Sequence, residues 1–434
     1  MNRIILIGNG FDLAHNLPTS YKSFICNFWE DFLVKVEKSS GNKFDNEYIT
    51  FETDMYNLAH ITSGMPYLSS EYSISKLEEQ INRFRSSMGR GAKVNLVFKN
   101  KFLETISRLS SAKNWVDIEN EYYRELIALN SDIRISINDY NIRTLNEEFL
   151  IIEKLLEKYL TEIEKNLITK LSINDVILKK IIAPLKFNDI SYSSANLFIE
   201  EIIDKSKFIK LPFSHNDSFF DIYREKYKFL DFNYNDILNF TGRIWAEDSE
   251  YDNVMKEIEY NSIPHFFTVP EDILFLNFNY THTIDKYIDN KDFYKTINIH
   301  GELNNKTNPI IFGYGDELEH SYKSIENINE NDYLKNVKSI RYLETDNYRR
   351  LLNFIESAPF QIFIMGHSCG NSDRTLLNTL FEHKNCISIK PFYHQRNEME
   401  DNYSDIVRNI SRNFTDKALM RDRVVNKMYC EPLV

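Results

Sequence analysis

Arg3-Ile4-Ile5-Leu6-Ile7-Gly8-Asn9-Gly10-Phe11-Asp12-Leu13 opens the chain with an unbroken aliphatic run that ends in two glycines. So short a run, with no polar alternation, fits a strand buried on both faces, the kind that builds parallel sheets. Glycines spaced by one residue let the backbone turn tightly and aim amides at a diphosphate. Leu13 stands where a dinucleotide-binding turn would carry its third glycine, and a plain tight turn is the alternative reading. Gly8, Asn9, Gly10, Phe11 and Asp12 are the first candidates for nucleotide contact.

The same pattern returns late in the chain. Ile273-Leu274-Phe275-Leu276 runs into Asn277-Phe278-Asn279-Tyr280-Thr281, Ile297 to Ile299 into His300-Gly301, and Ile310 to Phe312 into Gly313-Tyr314-Gly315. Gln361 to Met365 runs into Gly366-His367-Ser368, and Ile387 to Ile389 follows Cys386. Helical patterns, including Tyr348 to Ser357 and Arg374 to His383, separate several of these runs. Apolar strands alternating with helices predict an α/β fold built on a doubly wound parallel sheet. Ligands of such sheets sit beyond the carboxyl ends of the strands, so the polar strand ends are the candidate site.

Between the two groups of strands the pattern is helical. A helix is expected from Tyr21, capped by Thr19 or Ser20, with Phe24, Phe28 and Phe32 on one stripe. Trp115, Ile118, Tyr122, Leu126 and Leu129 share a face, and Leu145, Phe149, Ile152, Leu156, Tyr159, Ile163 and Leu167 mark a long amphipathic helix. These signals predict one nucleotide-binding domain from residues 1–25 plus 265–434, and an all-helical insertion domain over 26–264.

Composition narrows the classes. With 434 residues, 42% hydrophobic and 14% aromatic, the chain can bury a large core. A formal charge of −12 argues against sequence-independent or sequence-specific duplex binding, which needs a basic surface. Cys26, Cys369, Cys386 and Cys430 form no C-x-x-C pair, so no structural metal is expected and the thiols read as reduced and cytoplasmic. No apolar stretch is long enough for a membrane span.

His300, after a strand and before a glycine, suits a general base that titrates near neutrality. Asn277 and Asn279 fall on one side of their strand end, where an amide orients a ribose or a water, or simply caps the next helix. Neither Asn279 nor His300 is expected to carry much core packing. Gly366-His367-Ser368-Cys369-Gly370 matches the G-x-S-x-G elbow of serine hydrolases. Only His383 and His394 follow it, and Asp401 lies after both, the wrong order for a triad. The acids of Trp115-Val116-Asp117-Ile118-Glu119 are accounted for by a helix start.

Taken together, Ile5 to His15 with Leu17-Pro18-Thr19-Ser20-Tyr21, Trp115 to Glu119, Phe278 to Thr281 with Thr283, Ile299-His300-Gly301, and Gly366-His367-Ser368 with Asp373 resemble the bacterial AbiH family. That resemblance implies a role in abortive infection of phage-attacked cells. A more distant resemblance is to sirtuins and sirtuin-like defence NADases. It rests on Gly8-Asn9-Gly10, Leu17-Pro18, Asn279-Tyr280, His300-Gly301 and Gly366-His367-Ser368 in the same order. Thr281 stands where those families carry an aspartate, and Tyr21 near the place of an arginine.

The resemblance implies a Rossmann-like, sirtuin-like sheet that binds NAD and cleaves its nicotinamide–ribose bond. Asn279 and His300 would be catalytic. Gly8, Asn9, Gly10, Phe11, Asp12, Pro18, Tyr21, Tyr280, Thr281, Gly301, Gly366, His367, Ser368 and Asp373 would bind the nucleotide, with no metal. The helical region would sense an unknown phage trigger, form homo-oligomers or cover the cleft. A non-catalytic NAD or ADP-ribose sensor and a serine hydrolase at Ser368 are the alternatives.

Overall fold

A computed structural model describes residues 1–39, 41–54, 57–62, 73–88, 93–109, 115–130, 140–209, 225–227, 230, 233–246, 249–288, 294–319 and 321–434. The chain divides into two compact units, one of residues 1–16, 166–310 and 342–434, the other of residues 17–165 and 311–341. The strands are β1 (Asn2–Ile7), β2 (Lys43–Asp45), β3 (Ile49–Thr53), β4 (Val94–Phe98), β5 (Ile273–Asn277), β6 (Tyr294–Asn298), β7 (Phe360–Met365) and β8 (Cys386–Phe392).

The first unit is built on a parallel sheet in the order β6-β5-β1-β7-β8. Chain order within that sheet runs outward from β1 in one direction and then returns to its other side. This is compatible with a doubly wound arrangement whose topological switch point lies between β1 and β7. Every residue of β1, β5, β7 and β8 is buried, as a sheet covered on both faces requires. Ile5, Ile7, Ile273, Phe275, Phe363 and Met365 form one core with Ile177, Ile181, Ile199, Ile202, Ile237, Phe240, Val254 and Phe267.

That core moves the expected boundary. The helices Asp175–Ile181, Ala195–Ile209, Tyr234–Ile244 and Glu250–Glu259 belong to the same unit as the sheet rather than to an insertion beginning at residue 26. Helical periodicity reveals an apolar stripe but not what covers it. Here the stripe is spent on one face of the sheet. Arg3 at the start of β1 ties the layers together. Its guanidinium is fully buried, donates to the carbonyls of Ile181 (2.9 Å) and Ala183 (2.6 Å) and to Gln361 Oε1 (3.0 Å), and lies 4.0 Å from the Phe363 ring centre. A cation at the last carbonyls of a helix also suits the helix dipole.

The second unit corrects the expectation of an all-helical insertion. It contains the antiparallel sheet β2-β3-β4, whose hairpin closes on Asn46 Oδ1 accepting from the Tyr48 and Ile49 amides (both 2.8 Å). The helix Tyr21–Lys38 begins at Ser20, whose hydroxyl accepts from the Ser23 amide (3.1 Å). The long helix runs Ile142–Asn166 and buries Leu145, Phe149, Ile152, Leu156 and Ile163. Side chains of residues 115–117 lie outside the described part.

Ile310 to Phe312 is not a strand. Phe312 instead stacks on Phe149 (4.8 Å between centres, 3° between planes), and Tyr314 on Tyr123 (3.8 Å, 10°). Tyr314 also pairs its backbone with Val337 in one isolated parallel bridge. Glu119 pairs with the buried Lys338 (2.8 Å). Among the described residues no helix is long and apolar enough to cross a membrane.

Glu153 on the long helix sits 3.7 Å from Arg341. Burial drives its carboxyl up from 4.5 to about 7, against the pull of Arg341 and with Glu157 adding to the rise. A carboxyl whose folded value is raised stabilises the fold below its unfolded value and loses that contribution as pH climbs through the folded one. Glu153→Gln is therefore expected to stabilise the second unit at pH 8 by on the order of 1–3 kcal/mol, and to be neutral near pH 4.5. Denaturant melts at the two pH values check this. Equal effects at both would overturn it.

Candidate functional site

The site is assembled at the carboxyl ends of β1, β5, β6 and β7. The two glycine turns lock into each other. The Gly10 amide donates to the Gly366 carbonyl (2.8 Å) and the Gly8 amide to the Met365 carbonyl (3.3 Å). Gly366 has φ +80, and a Cβ there would lie 2.0 Å from the Phe11 nitrogen. A Cβ on Gly8 would lie 2.4 Å from the His367 Cα. The glycines are required because two backbones touch.

This changes the role expected of the first turn. The Gly8 and Gly10 amides are already bonded to carbonyls of the second turn, and the Phe11 amide to Gly8 (2.8 Å). Asp12 lies buried in the first turn of the six-residue helix Asn9–Ala14, where its charge already answers the helix dipole. Gly8, Gly10, Phe11 and Asp12 hold the turn together. Asn9 stays half-buried at the start of that helix.

The end of β5 is fastened to this turn by amides. Asn279 Nδ2 donates to the Gly8 carbonyl (3.1 Å), and its backbone amide to Asn277 Oδ1 (3.0 Å). Buried Asn277 donates to the Thr281 carbonyl (3.1 Å) and to Asn298 Oδ1 (3.0 Å). Thr281 donates to Asp12 Oδ2 (2.7 Å), so a threonine–aspartate bond occupies that position. Gly301, at φ +83, lets the chain pass the Pro309 carbonyl, which a Cβ would meet at 2.0 Å.

His300 lies inside rather than at an open edge. It is 4% exposed, with Nε2 3.1 Å from the Tyr342 hydroxyl and 3.1 Å from Asp373 Oδ1. Its ring stacks parallel to Tyr342 (6.1 Å, 8°) and meets Phe278 edge to face (5.1 Å) and Tyr280 (6.4 Å). The expectation that His300 carries little packing is therefore corrected. Asp373, expected to touch a ligand, is itself 4% exposed and reaches His367 Nε2 through its other oxygen (3.4 Å). His367 in turn packs on Phe278 (4.1 Å).

Pro18 and Tyr21 belong to the second unit. There the Pro18 carbonyl accepts from Tyr159 (2.5 Å) and the Tyr21 hydroxyl donates to the Ile106 carbonyl (2.6 Å).

The sequence missed Tyr342 and a cluster around Glu302. Glu302 accepts from the side-chain amides of Asn298 (2.6 Å), Asn305 (2.6 Å) and Asn308 (3.3 Å). Burial opposes its ionisation, but these three amides and His282 hold the carboxyl below its ordinary range. Asn298 and His300 follow each other at alternate positions, which was the available signal. Tyr342 had none.

Among the described residues no histidine is hydrogen-bonded to the Ser368 hydroxyl. Within this turn Gly366 (φ +80) and Cys369 (φ +54), not Ser368, lie in the left-handed region, and burial with Asp373 drives the Cys369 thiol up. His383 is engaged by Glu356 (3.2 Å) and by the Asn385 amide (3.2 Å). Ser368→Ala is accordingly expected to change any NAD turnover by no more than about fivefold, one hydrogen bond's worth. A fluorophosphonate probe is expected to leave the wild-type chain unlabelled, and labelling that vanishes in the variant would restore the hydrolase.

Residues 243–395, about a third of the chain, match the family model described as Bacteriophage abortive infection AbiH. The matched span carries β5 to β8 with Asn279, His300, Tyr342, His367 and Asp373, and leaves out β1 and its turn. Neither a curated protein nor a solved structure matches the chain.

Proposed function

We propose that the chain acts in abortive infection against phage, and that its first unit cleaves the nicotinamide–ribose bond of NAD. The observation that carries the chemistry is His300, held at a strand end against the Asp373 carboxylate and next to the amide-rich end of β5. Cleavage of that bond passes through an oxocarbenium-like centre, as glycoside hydrolysis does. It asks for a base to take a proton from water or a ribose hydroxyl, and for a group to orient the ribose. His300 supplies the first and Asn279 the second. The diphosphate is held by groups other than the Gly8, Gly10 and Phe11 amides, which are spent within the protein.

That same spent turn, together with the burial of His300, favours a second reading, in which the unit binds NAD or ADP-ribose as a sensor without turning it over. One experiment separates the two. Purified chain is incubated with NAD while free nicotinamide is followed by chromatography and binding by calorimetry. Nicotinamide release supports the hydrolase, binding without release supports the sensor, and neither response overturns both.

A further inference from the structure

The loop that presents His367 is organised around one hydrogen bond within it. The Cys369 amide donates to His367 Nδ1 (3.1 Å). To aim that amide, Cys369 adopts φ +54, a conformation uncommon for a side chain of its kind. The helix Tyr403–Asn413 pins the loop from outside. Asn413 Nδ2 donates to the Cys369 carbonyl (2.8 Å) and Asn409 Nδ2 to the Ser368 carbonyl (2.8 Å).

A ring nitrogen that accepts an amide hydrogen carries its lone pair, so the proton of the neutral His367 ring sits on Nε2. That nitrogen faces Asp373 Oδ2 at 3.4 Å. His367 Nε2 thus faces one oxygen of a buried carboxylate, and the other oxygen lies 3.1 Å from His300 Nε2. We infer that Asp373 is a positioning residue for His300, and that His367 holds Asp373 in place rather than serving as a second base. The inference rests on the reading of His300 as the base.

A proton taken up by His300 would be stabilised by the adjacent carboxylate in a site from which water is largely excluded. Among the groups facing His300 are Tyr342 from the turn Tyr342–Glu344, Phe278 and Tyr280 after β5, and Asp373, with His367 behind it. The Tyr342 hydroxyl oxygen lies 3.1 Å from the same imidazole nitrogen and so shares in orienting it.

The test uses the full chain, with imidazole nitrogens read by NMR and NAD turnover measured in parallel. In wild type, His367 is expected to show the Nε2–H form at neutral pH. In Asp373→Asn, the pH at which His300 titrates is expected to fall by at least one unit, and kcat on the order of 100-fold with KM little changed. In His367→Gln the side-chain amide takes the place of Nε2 and can donate to Asp373. It is expected to recover at least tenfold of the turnover lost in His367→Leu. An unchanged His300 titration in Asp373→Asn, or equal loss in the two His367 variants, overturns the inference. Absence of nicotinamide from wild type overturns the base reading instead, and the NMR comparison still decides what holds His300.

Discussion

Replacing His300 by glutamine is expected to lower nicotinamide release from NAD by at least about 10³-fold, the upper part of what general acid–base catalysis contributes. Glutamine is preferred to alanine because His300 is enclosed by Phe278, Tyr342 and Asp373. Alanine there would leave a void and strip Asp373 of one of its two imidazoles, so lost stability would be mixed with lost chemistry. Asn279→Ala is expected to act in the same direction, because its amide joins the end of β5 to the glycine turn at Gly8. Release is read by chromatography after confirming by circular dichroism that each variant is folded. Full activity in a folded His300→Gln chain would sink the assignment of the base, whatever the family of the protein.

The largest effect on stability is expected at a residue with no side chain. Gly366→Ala places a methyl 2.0 Å from the Phe11 nitrogen and 2.5 Å from the Gly10 carbonyl carbon, and does so at φ +80. Both obstacles are backbone, and that backbone is held by the bond from the Gly10 amide to the Gly366 carbonyl. No rotamer change relieves the clash, so the turns must separate. A loss of at least ~4 kcal/mol is expected, with the chain mostly unfolded or insoluble at 37 °C. Gly242, which has open space around a built Cβ, is the control, and Gly242→Ala is expected to be neutral or slightly stabilising. A Gly366→Ala chain that melts within two degrees of wild type would show that the two turns are not locked together.

The strands that proved legible were the ones buried on both faces. Ile4 to Ile7, Ile273 to Leu276 and Ile362 to Met365 announce themselves because a parallel strand under two layers tolerates no polar alternation. The edge strand β6 begins at Tyr294 rather than Ile297, since its start reads Tyr294-Lys295-Thr296, the mixed pattern that an exposed edge favours. Ile310-Ile311-Phe312 carries the same apolar signal as a strand yet satisfies it by packing, which a one-dimensional pattern cannot distinguish.

Of the candidate site, the strand ends were legible as polar residues after apolar runs. Their partnerships were not. Nothing near Gly8 in sequence reveals that its turn closes on Gly366, and nothing around Asp373 reveals that it stands between two imidazoles. Such pairings are set by which strands neighbour each other, and that order is a property of the whole sheet.

The place of β1 at the centre of its sheet has a consequence for synthesis. Its two neighbours, β5 and β7, are the segments Ile273–Asn277 and Phe360–Met365, so β1 leaves the ribosome well before either partner. At synthesis rates of ~5–20 residues per second, its second partner arrives roughly 20–70 s after it does. Until then the nascent chain has no assembled His300 environment and no closed glycine turns. A truncated or interrupted translation product therefore lacks the proposed activity by construction. The first unit becomes competent only once β7 has been made, a useful property in a protein whose proposed reaction consumes a cofactor of its own cell.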